Sequence, residues 1–270
     1  MVEARADLVT ADNLGVIPPA MAAGLLEPMD LGRPFLASTL RLDEPIAGMG
    51  LTLPLVVTRP TIGEQVGEKD TLTHTATDIR PVTFDPTTVG GYGDLSIQLL
   101  KRSDPSFSEL YLALLAEAYG ENADAEAINA LLDGPGVHDG GVFDPANFDI
   151  GAAVIDSQAV ARGLPDRLWL SSAAVSAIID AKAPGSNVPI YPGGLEVPIS
   201  GLRPVYTPAL DGTEADVLVG PARGFLWAED GAYTLQAVRP AMAGQDIGLA
   251  GIVWLAPLYR AAFTRYALAA

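Results

Sequence analysis

The chain has 270 residues, of which 49% are hydrophobic and 18% are charged, and its formal net charge is −17. This size and composition allow a substantial buried core in one large domain or two smaller ones, and they exclude a disordered chain. The absence of cysteine excludes disulfides, thiolate nucleophiles and cysteine-ligated metals.

Apolar residues do not form a run long enough to cross a membrane. The longest candidate, residues 247–258, stops at twelve, whereas a spanning helix needs about 18 or more. No positively charged leader with an apolar core opens the sequence. We therefore expect a soluble protein that is intracellular when made and has no membrane partner.

Acidic side chains are concentrated in one part of the chain. Residues 103–161 contain eleven of them and no Lys or Arg. A protein that reads nucleic acid binds phosphates through clustered basic side chains, so the sequence predicts no direct, sequence-specific DNA binding. The acidic excess serves either solubility or the exclusion of nucleic acid from the surface, and the sequence leaves both open.

Residues 1–45 alternate short apolar pieces with proline and glycine, which predicts an extended arm or strap. Leu51–Thr58 is β-branched and apolar, and Thr71–Thr77 resumes an alternating pattern, so we predict a long two-stranded ribbon within residues 51–84. A lone two-stranded ribbon is marginal in water. The pattern therefore favours a ribbon that lies on a neighbouring subunit, with an ordinary surface hairpin as the alternative.

A long helix is predicted next. Asp104 can cap it, Pro105 suits its first position, and Gly120 offers a stop. A second helix is predicted over Ala123–Leu132, before a turn at Asp133–Gly136. The residues predicted to form the core face of the long helix recur at helical spacing and are Phe107, Leu110, Tyr111 and Leu114.

The second half of the chain predicts a compact α+β domain followed by returning strands. Helices over Ile150–Ala161 and Ser171–Ala183 flank an apolar strand, Arg167–Leu170. The predicted returning strands are Val217–Leu226, Tyr233–Val238 and Ile247–Leu255.

Motifs for catalysis are missing. The sequence has no Gly-Lys pair for a phosphate loop, no Gly-x-Ser-x-Gly and no His-Glu-x-x-His. His74 falls in the ribbon, and His138 falls in an acidic loop whose spacing does not match a calcium loop. Gly90–Gly93 predicts a bend before the helix, and Glu229–Gly231 predicts a hairpin turn. We predict no catalytic residue, no cofactor and no metal.

Taken in order, these parts resemble the major capsid proteins of tailed bacteriophages with the Hong Kong 97-type shell fold. The resemblance covers essentially the whole chain. Thr10–Pro19 resembles the N-arm, and Thr58–Gln65 with Gly67–Lys69 resembles the extended loop. Ser103–Gly120 resembles the spine helix, and Leu131–Gly134 resembles its exit. Phe225–Gly231 resembles the strand pair that enters the peripheral domain.

The resemblance implies an α+β capsid shell fold with an N-terminal arm, an extended β-hairpin loop, a long spine helix, and peripheral and axial domains. The arm would be 1–30, the extended loop 46–83 and the axial domain 134–222. The peripheral domain would combine 31–45, 84–133 and 223–270, with the spine helix at 104–120.

The resemblance also implies a function: self-assembly into hexamers and pentamers of an icosahedral phage head that encloses packaged double-stranded DNA. The protein would not be an enzyme, and it would be assembled in the host bacterial cytoplasm and end in the virion. Its partners would be further copies of itself, a portal, a scaffold or maturation protease, and a decoration protein. The acidic segment would include a face toward the packaged DNA.

Two sets of residues would serve assembly. The inter-subunit residues of the extended loop would be Arg59, Gly63, Glu64, Glu68 and Lys69. Particles in this family expand as subunits rotate, and glycine permits the necessary dihedral changes. The candidate hinges are Gly48, Gly50, Gly90, Gly91 and Gly93.

The chain departs from the family pattern in two ways. Many members carry a helical scaffolding segment before the N-arm, whereas this sequence begins almost at the arm, which implies a separate scaffold or a mature-length chain. Some members also join neighbours through a lysine–asparagine isopeptide bond. Lys69 could supply the amine, but no asparagine follows Asn187, so we predict no such crosslink.

Two other classes stay open from sequence alone. A bacterial nanocompartment shell shares this fold but has an N-terminal helix that binds a cargo peptide, and the proline-rich opening here does not predict a helix. A hydrolase that uses carboxylates is the more distant alternative.

Overall fold

A computed structural model describes residues 30, 32–43, 50–58, 60–65, 67, 71–72, 76–96, 106–146, 148, 150–161, 163–183, 186–239 and 244–268. Within these ranges, none of the helices is both long enough and apolar enough to cross a membrane. Of the predicted N-terminal arm, residues 1–30, only Asp30 lies within the described residues.

The described residues combine helices and strands, as an α+β fold requires. The helices are α1 (Pro34–Ser38), α2 (Ser106–Leu132), α3 (Gly151–Ala161) and α4 (Ser172–Asp180). The strands are β1 (Leu40–Leu42), β2 (Leu51–Thr58), β3 (Asp78–Phe84), β4 (Pro86–Ser96), β5 (His138–Phe143), β6 (Arg167–Leu170), β7 (Arg203–Tyr206), β8 (Val217–Gly220), β9 (Phe225–Arg239), β10 (Gly244–Pro257) and β11 (Thr264–Leu268).

The first sheet has the strand order β1-β9-β10-β4, and its long strands β9 and β10 are antiparallel. Helix α2 packs across one face of it. Ala116, Tyr119 and Ala123 of the helix share a buried cluster with Val89 of β4 and Leu249 of β10. The sheet buries one side of the helix because small and aromatic residues recur there at helical spacing.

The second sheet has the order β5-β11-β8-β6-β7. Its own cluster joins Leu168 and Val217 of the strands to Ala153 of α3 and Ile178 of α4. The larger cluster of the first sheet also contains Trp169 and other residues of the second. One continuous apolar layer therefore joins the two sheets.

Strands β2 and β3 pair only with each other and form the ribbon. Leu51 at its base joins a buried cluster with Leu226, Trp254 and Ala256 on the face of the first sheet opposite α2, and Phe84 packs against that cluster. The ribbon is therefore anchored at its base and receives no third strand among the described residues.

Several sequence-based predictions agree with the structure. Strands β2 and β6 have the predicted bounds, α3 starts one residue later than predicted, and α4 lies within the predicted range. The predicted return strand of the ribbon was wrong, because it runs over Asp78–Phe84 rather than Thr71–Thr77. Pairing decides this, since Ile79 lies opposite Val56 and Phe84 opposite Leu51.

The prediction that Gly120 ends the long helix was wrong, because α2 continues to Leu132. Gly120 is buried where the chain at Gly32 crosses the helix. A β-carbon at Gly32 would lie 2.7 Å from the carbonyl oxygen of Glu117. Glycine at position 32 therefore permits a close approach of the two backbones, and Gly120 lies in the helix at this crossing instead of ending it.

The core face of α2 also differs from the prediction. Leu110 and Leu114 are more than half exposed in the single chain, and the side chain of Phe107 lies outside the described residues. The buried face lies further along the helix and includes Ala123, Ile128 and Leu131. These residues share one buried cluster with Phe35 and Leu210.

Three predicted loops are strands. Gly90–Gly93 lies inside β4, where Gly91 pairs with Leu249, and is not a bend. Glu229–Gly231 lies inside β9, where Gly231 has a φ of +64° beside a register shift of β10, and is not a hairpin turn. His138 begins β5. In each case a partner strand distant in sequence satisfies backbone groups that local patterns assigned to turns.

Strand β11 differs from the predicted domain division. It pairs with β5 and β8 in the second sheet, whereas residues 223–270 were assigned as a whole to the peripheral part. The chain therefore returns to the second sheet at β11. The rest of the predicted domain division stays a prediction.

Neighbouring glycines in β4 provide a test of backbone approach. A β-carbon at Gly90 would lie 2.7 Å from the β-carbon of Ala250 and 2.8 Å from the carbonyl oxygen of Leu249, whereas one at Gly91 meets nothing within 4 Å. We expect Gly90→Ala to lower the free energy of unfolding by about 2 kcal/mol, because the strands must move apart. Gly91→Ala should leave it unchanged or raise it by up to about 1 kcal/mol. Urea titration of both variants measures this, and equal effects would contradict the close approach.

Candidate functional site

A buried ion pair lies where the segment around α1 crosses α2 and β9. The Arg33 side chain is fully buried, and its Nη1 lies 2.9 Å from Glu229 Oε2. Its Nη2 lies 2.6 Å from Asp30 Oδ1. The Tyr119 hydroxyl of α2 donates to Glu229 Oε1 at 2.8 Å. These four side chains form what we call the ionic joint.

The charges of the ionic joint support one another. Burial by itself lowers the pKa of Arg33, but the Glu229 and Asp30 carboxylates outweigh it, and the pKa is raised. Burial and the charge of Glu229 raise the pKa of Tyr119. Tyr119 therefore remains a neutral donor, and Arg33 remains a cation.

Trp227 of β9 extends the joint. The guanidinium carbons of Arg33 and Arg41 lie 4.9 Å and 5.0 Å from the centre of its ring, within cation–π distance. The indole nitrogen of Trp227 donates to the carbonyl oxygen of Leu36 at 2.9 Å. We call the described segment around α1, residues 32–43, the strap. The sheet therefore holds the strap through a backbone hydrogen bond as well as through its two cationic side chains.

Asp124 of α2 holds the same strap from the other side. Its carboxylate accepts from the backbone N–H groups of Phe35 at 3.1 Å and Leu36 at 2.8 Å, and from the Thr207 hydroxyl at 2.8 Å. Burial raises the pKa of Asp124 to about 6, although the three hydrogen bonds and the charge of Arg33 oppose this shift. We call Asp124 and its three donors the carboxylate clamp.

The joint and the clamp satisfy their own polar groups, so they position structure instead of performing chemistry. They tie α1 to α2 and β9. The second sheet is connected through Thr207, which donates to Asp124, and through Trp169, whose indole nitrogen donates to Ser38 Oγ at 2.7 Å. In the described part of the chain, no group of three or more His, Cys, Asp or Glu residues is placed to hold a metal. Exposed apolar side chains occur elsewhere on the described chain.

The ribbon presents one such surface. Leu53, Leu55 and Val82 line a cleft of about 120 Å³ between the ribbon and the end of β10. On the other face of the ribbon, Pro54 lies opposite Pro81 and Val56 opposite Ile79. Val56 is 37% exposed and Ile79 is 55% exposed. We call this the outer face of the ribbon, and it is apolar and uncovered in the single chain.

The structure places only some of the predicted extended-loop residues. Gly63 and Glu64 are exposed, and the neighbouring Ile62 is 99% exposed. Arg59, Glu68 and Lys69 lie outside the described residues. Their role between subunits stays a prediction.

The structure describes only some of the predicted hinge glycines. Gly48 lies outside the described residues, and Gly50 precedes β2. A β-carbon at Gly93 would collide with the Tyr111 hydroxyl. Gly93, like Gly90, therefore serves close packing.

Sequence reasoning missed Arg33, Asp124 and Glu229. Asp124 had one detectable signal, since it adjoins Ala123 on the helix face that Tyr119 and Ala127 continue, where an acid is unusual. Arg33 and Glu229 had none, because they are 196 positions apart in sequence.

The fold is shared with phage major capsid proteins and with the capsid protein of a gene transfer agent. Chains of Gordonia phage Cozz and Microbacterium phage Oxtober96 each align with a TM-score of 0.69 and 14% identity. Both alignments cover 88% of this chain, and they cover 87% and 91% of the respective phage chains.

A chain from the capsid of a native gene transfer agent particle, computed with C5 symmetry, aligns with a TM-score of 0.67 and 12% identity. That alignment covers 97% of this chain and 94% of the other. No protein-family model and no curated protein matches the sequence. The expected resemblance is therefore confirmed as a likeness of fold.

The clamp predicts a specific dependence of stability on pH. The pKa of Asp124 is raised from 3.8 to about 6 in the folded chain. Its contribution to the free energy of unfolding is therefore fully present below about pH 4 and falls by about 3 kcal/mol as pH rises through 6. Asp124→Asn should lack this decrease. Urea titrations of both proteins between pH 4 and pH 7 measure the difference, and parallel profiles would show that Asp124 does not titrate in this range.

The ionic joint predicts unequal effects of two substitutions at one contact. Glu229→Ala leaves the buried Arg33 with Asp30 alone and should lower the free energy of unfolding by about 3–5 kcal/mol. Tyr119→Phe removes one hydrogen bond to the same carboxylate and should cost about 1–2 kcal/mol. Tryptophan fluorescence during urea unfolding reports both, and equal losses would argue against an ion pair that stabilises the fold.

Proposed function

We propose that this protein is a major capsid protein that assembles into hexamers and pentamers of an icosahedral phage head around packaged double-stranded DNA. The observation that carries the proposal is the likeness of fold over 97% of the chain to a chain from the capsid of a gene transfer agent particle. The chemistry of the chain agrees, because its polar clusters hold structure together and its uncovered surfaces are suited to contacts between copies.

The ribbon supports assembly on physical grounds. A two-stranded ribbon with an exposed apolar face is marginal in water, and Val56 and Ile79 lie side by side on that face. A neighbouring copy that covers the outer face of the ribbon would bury them. The tip residues Gly63 and Glu64 would then lie on that neighbour.

The hinge proposal narrows to the base of the ribbon. A β-carbon at Gly90 would meet the backbone of β10, and one at Gly93 would meet the Tyr111 hydroxyl. A β-carbon at Gly50 would meet the Thr83 side chain at 2.7 Å but no backbone atom within 3.5 Å, so a rotation of the ribbon during particle expansion would use Gly48 and Gly50 at its base. The cleft of about 120 Å³ under the ribbon leaves space for such a movement.

The remaining features of the proposal follow from the resemblance. The protein would reside in the virion after assembly in the host bacterial cytoplasm, without catalysis of its own. A portal, a scaffold or maturation protease, and a decoration protein would be its partners. The exposed acids Glu117 and Glu121 of α2 would belong to a surface that repels the packaged DNA. The nanocompartment and hydrolase alternatives are not favoured by the structural likenesses.

The first test is the size of the assembled protein. Negative-stain microscopy with light scattering of the purified chain should show rings or closed shells. A stable monomer at every concentration and ionic strength tried, also when co-expressed with the scaffold gene of the same genome, would contradict a shell function.

The ribbon can be tested separately from folding. Val56→Asp with Ile79→Asp places two charges on the outer face and should abolish shells while the chain stays folded, since desolvating two carboxylates at an interface is costly. The matched control exchanges the two residues, Val56→Ile with Ile79→Val, and should assemble normally. Shells formed equally well by both variants, counted by microscopy after circular dichroism confirms folding, would exclude this face from the contacts.

A further inference from the structure

The two edges of the second sheet carry opposite charge. Strand β5 forms one edge and β7 the other, and the three strands between them separate the two edges by about 19 Å at normal strand spacing. An uncovered strand edge is a natural place for another chain to bind. One edge of this sheet carries an acidic side chain and the other a basic one, so the two edges have complementary charge.

The edge at β5 is acidic with one apolar side chain. Asp139 is exposed and accepts only a local hydrogen bond, from the backbone of Gly141 at 2.9 Å. Arg265 lies opposite Asp139 in the register, but its guanidinium pairs with Glu214 at 2.7 Å. Val142 on the same strand is 64% exposed.

The edge at β7 is basic with one apolar side chain. Arg203 is exposed and, among the described residues, forms no ion pair. Arg167 lies beside it in the neighbouring strand and shares its charge with Asp166 at 3.2 Å. Tyr206 on β7 is 44% exposed. In a chain with a net charge of −17, this is an unusual place for an uncompensated cation.

We propose that the β5 edge of one copy binds the β7 edge of the next, with Asp139 facing Arg203. The inference rests on the proposed shell function and names the contact that closes its capsomers. Two different surfaces of one chain give a head-to-tail interface, which closes into a ring when the rotation between copies allows it. Opposite charges set the register and direction of the ring and disfavour the reverse arrangement.

Charge reversal tests the contact. Asp139→Lys and Arg203→Glu should each raise the protein concentration needed for assembly by about tenfold or more, because like charges then meet at every interface. The chain that carries both changes should return to within about threefold of the wild type. Asp180→Lys, the same charge change at the exposed end of α4, is the control and should assemble as the wild type does. Sedimentation velocity measures the assembled fraction.

A mixture of the two single variants gives a sharper result. When copies with Asp139→Lys alternate with copies with Arg203→Glu, every interface pairs opposite charges, so rings with an even number of copies have no repulsive interface. A ring with an odd number must retain one. An equimolar mixture should therefore recover six-membered rings and not five-membered ones, counted by microscopy.

The outcomes separate the two proposals. A wild-type chain that never assembles overturns both the shell function and this contact. Single variants that assemble like the wild type, or a double variant no better than either single, overturn the contact and leave the shell function standing.

Discussion

The structure depends on how two buried charges are held beside one short segment. Arg33 belongs to the strap around α1, and Asp124 of α2 accepts hydrogen bonds from the backbone of that strap. Each charge would destabilise the fold if its partners were removed. Arg33 is neutralised by Glu229 and Asp30, and Asp124 is satisfied by two backbone N–H groups and one hydroxyl. Because Asp124 belongs to α2, Glu229 to β9 and Thr207 to the turn after β7, the strap can be seated only when all three are in place.

The joint and the clamp add direction to the contact between the two sheets. The two sheets share an apolar layer around Trp169 and Phe225, which resists separation but is not directional. The buried hydrogen bonds and ion pairs add direction, because they are satisfied in one relative position only. These contacts therefore fix the position of the strap relative to α2 and to both sheets.

The exposed surfaces differ from one another in charge, whereas the core combines apolar and charged side chains. The outer face of the ribbon is apolar and uncovered, and the two edges of the second sheet are charged with opposite sign. Apolar contact supplies most of the free energy of association, whereas charge chiefly supplies register and specificity. Under the proposed shell function, these two roles would lie on separate surfaces of the chain.

The sequence alone determined the elements whose patterns are local. Strand β6 and helices α3 and α4 appeared close to their true bounds, since period-2 and period-3.6 patterns arise from the residues themselves. The order of these elements was sufficient to suggest the shell fold. Only the tertiary structure decided the rest: that α2 continues through Gly120, that Gly90–Gly93 and Glu229–Gly231 lie inside strands, and that Arg33 meets Glu229. Each of these depends on a partner distant in sequence, and a contact of that kind leaves no periodic trace in a single chain.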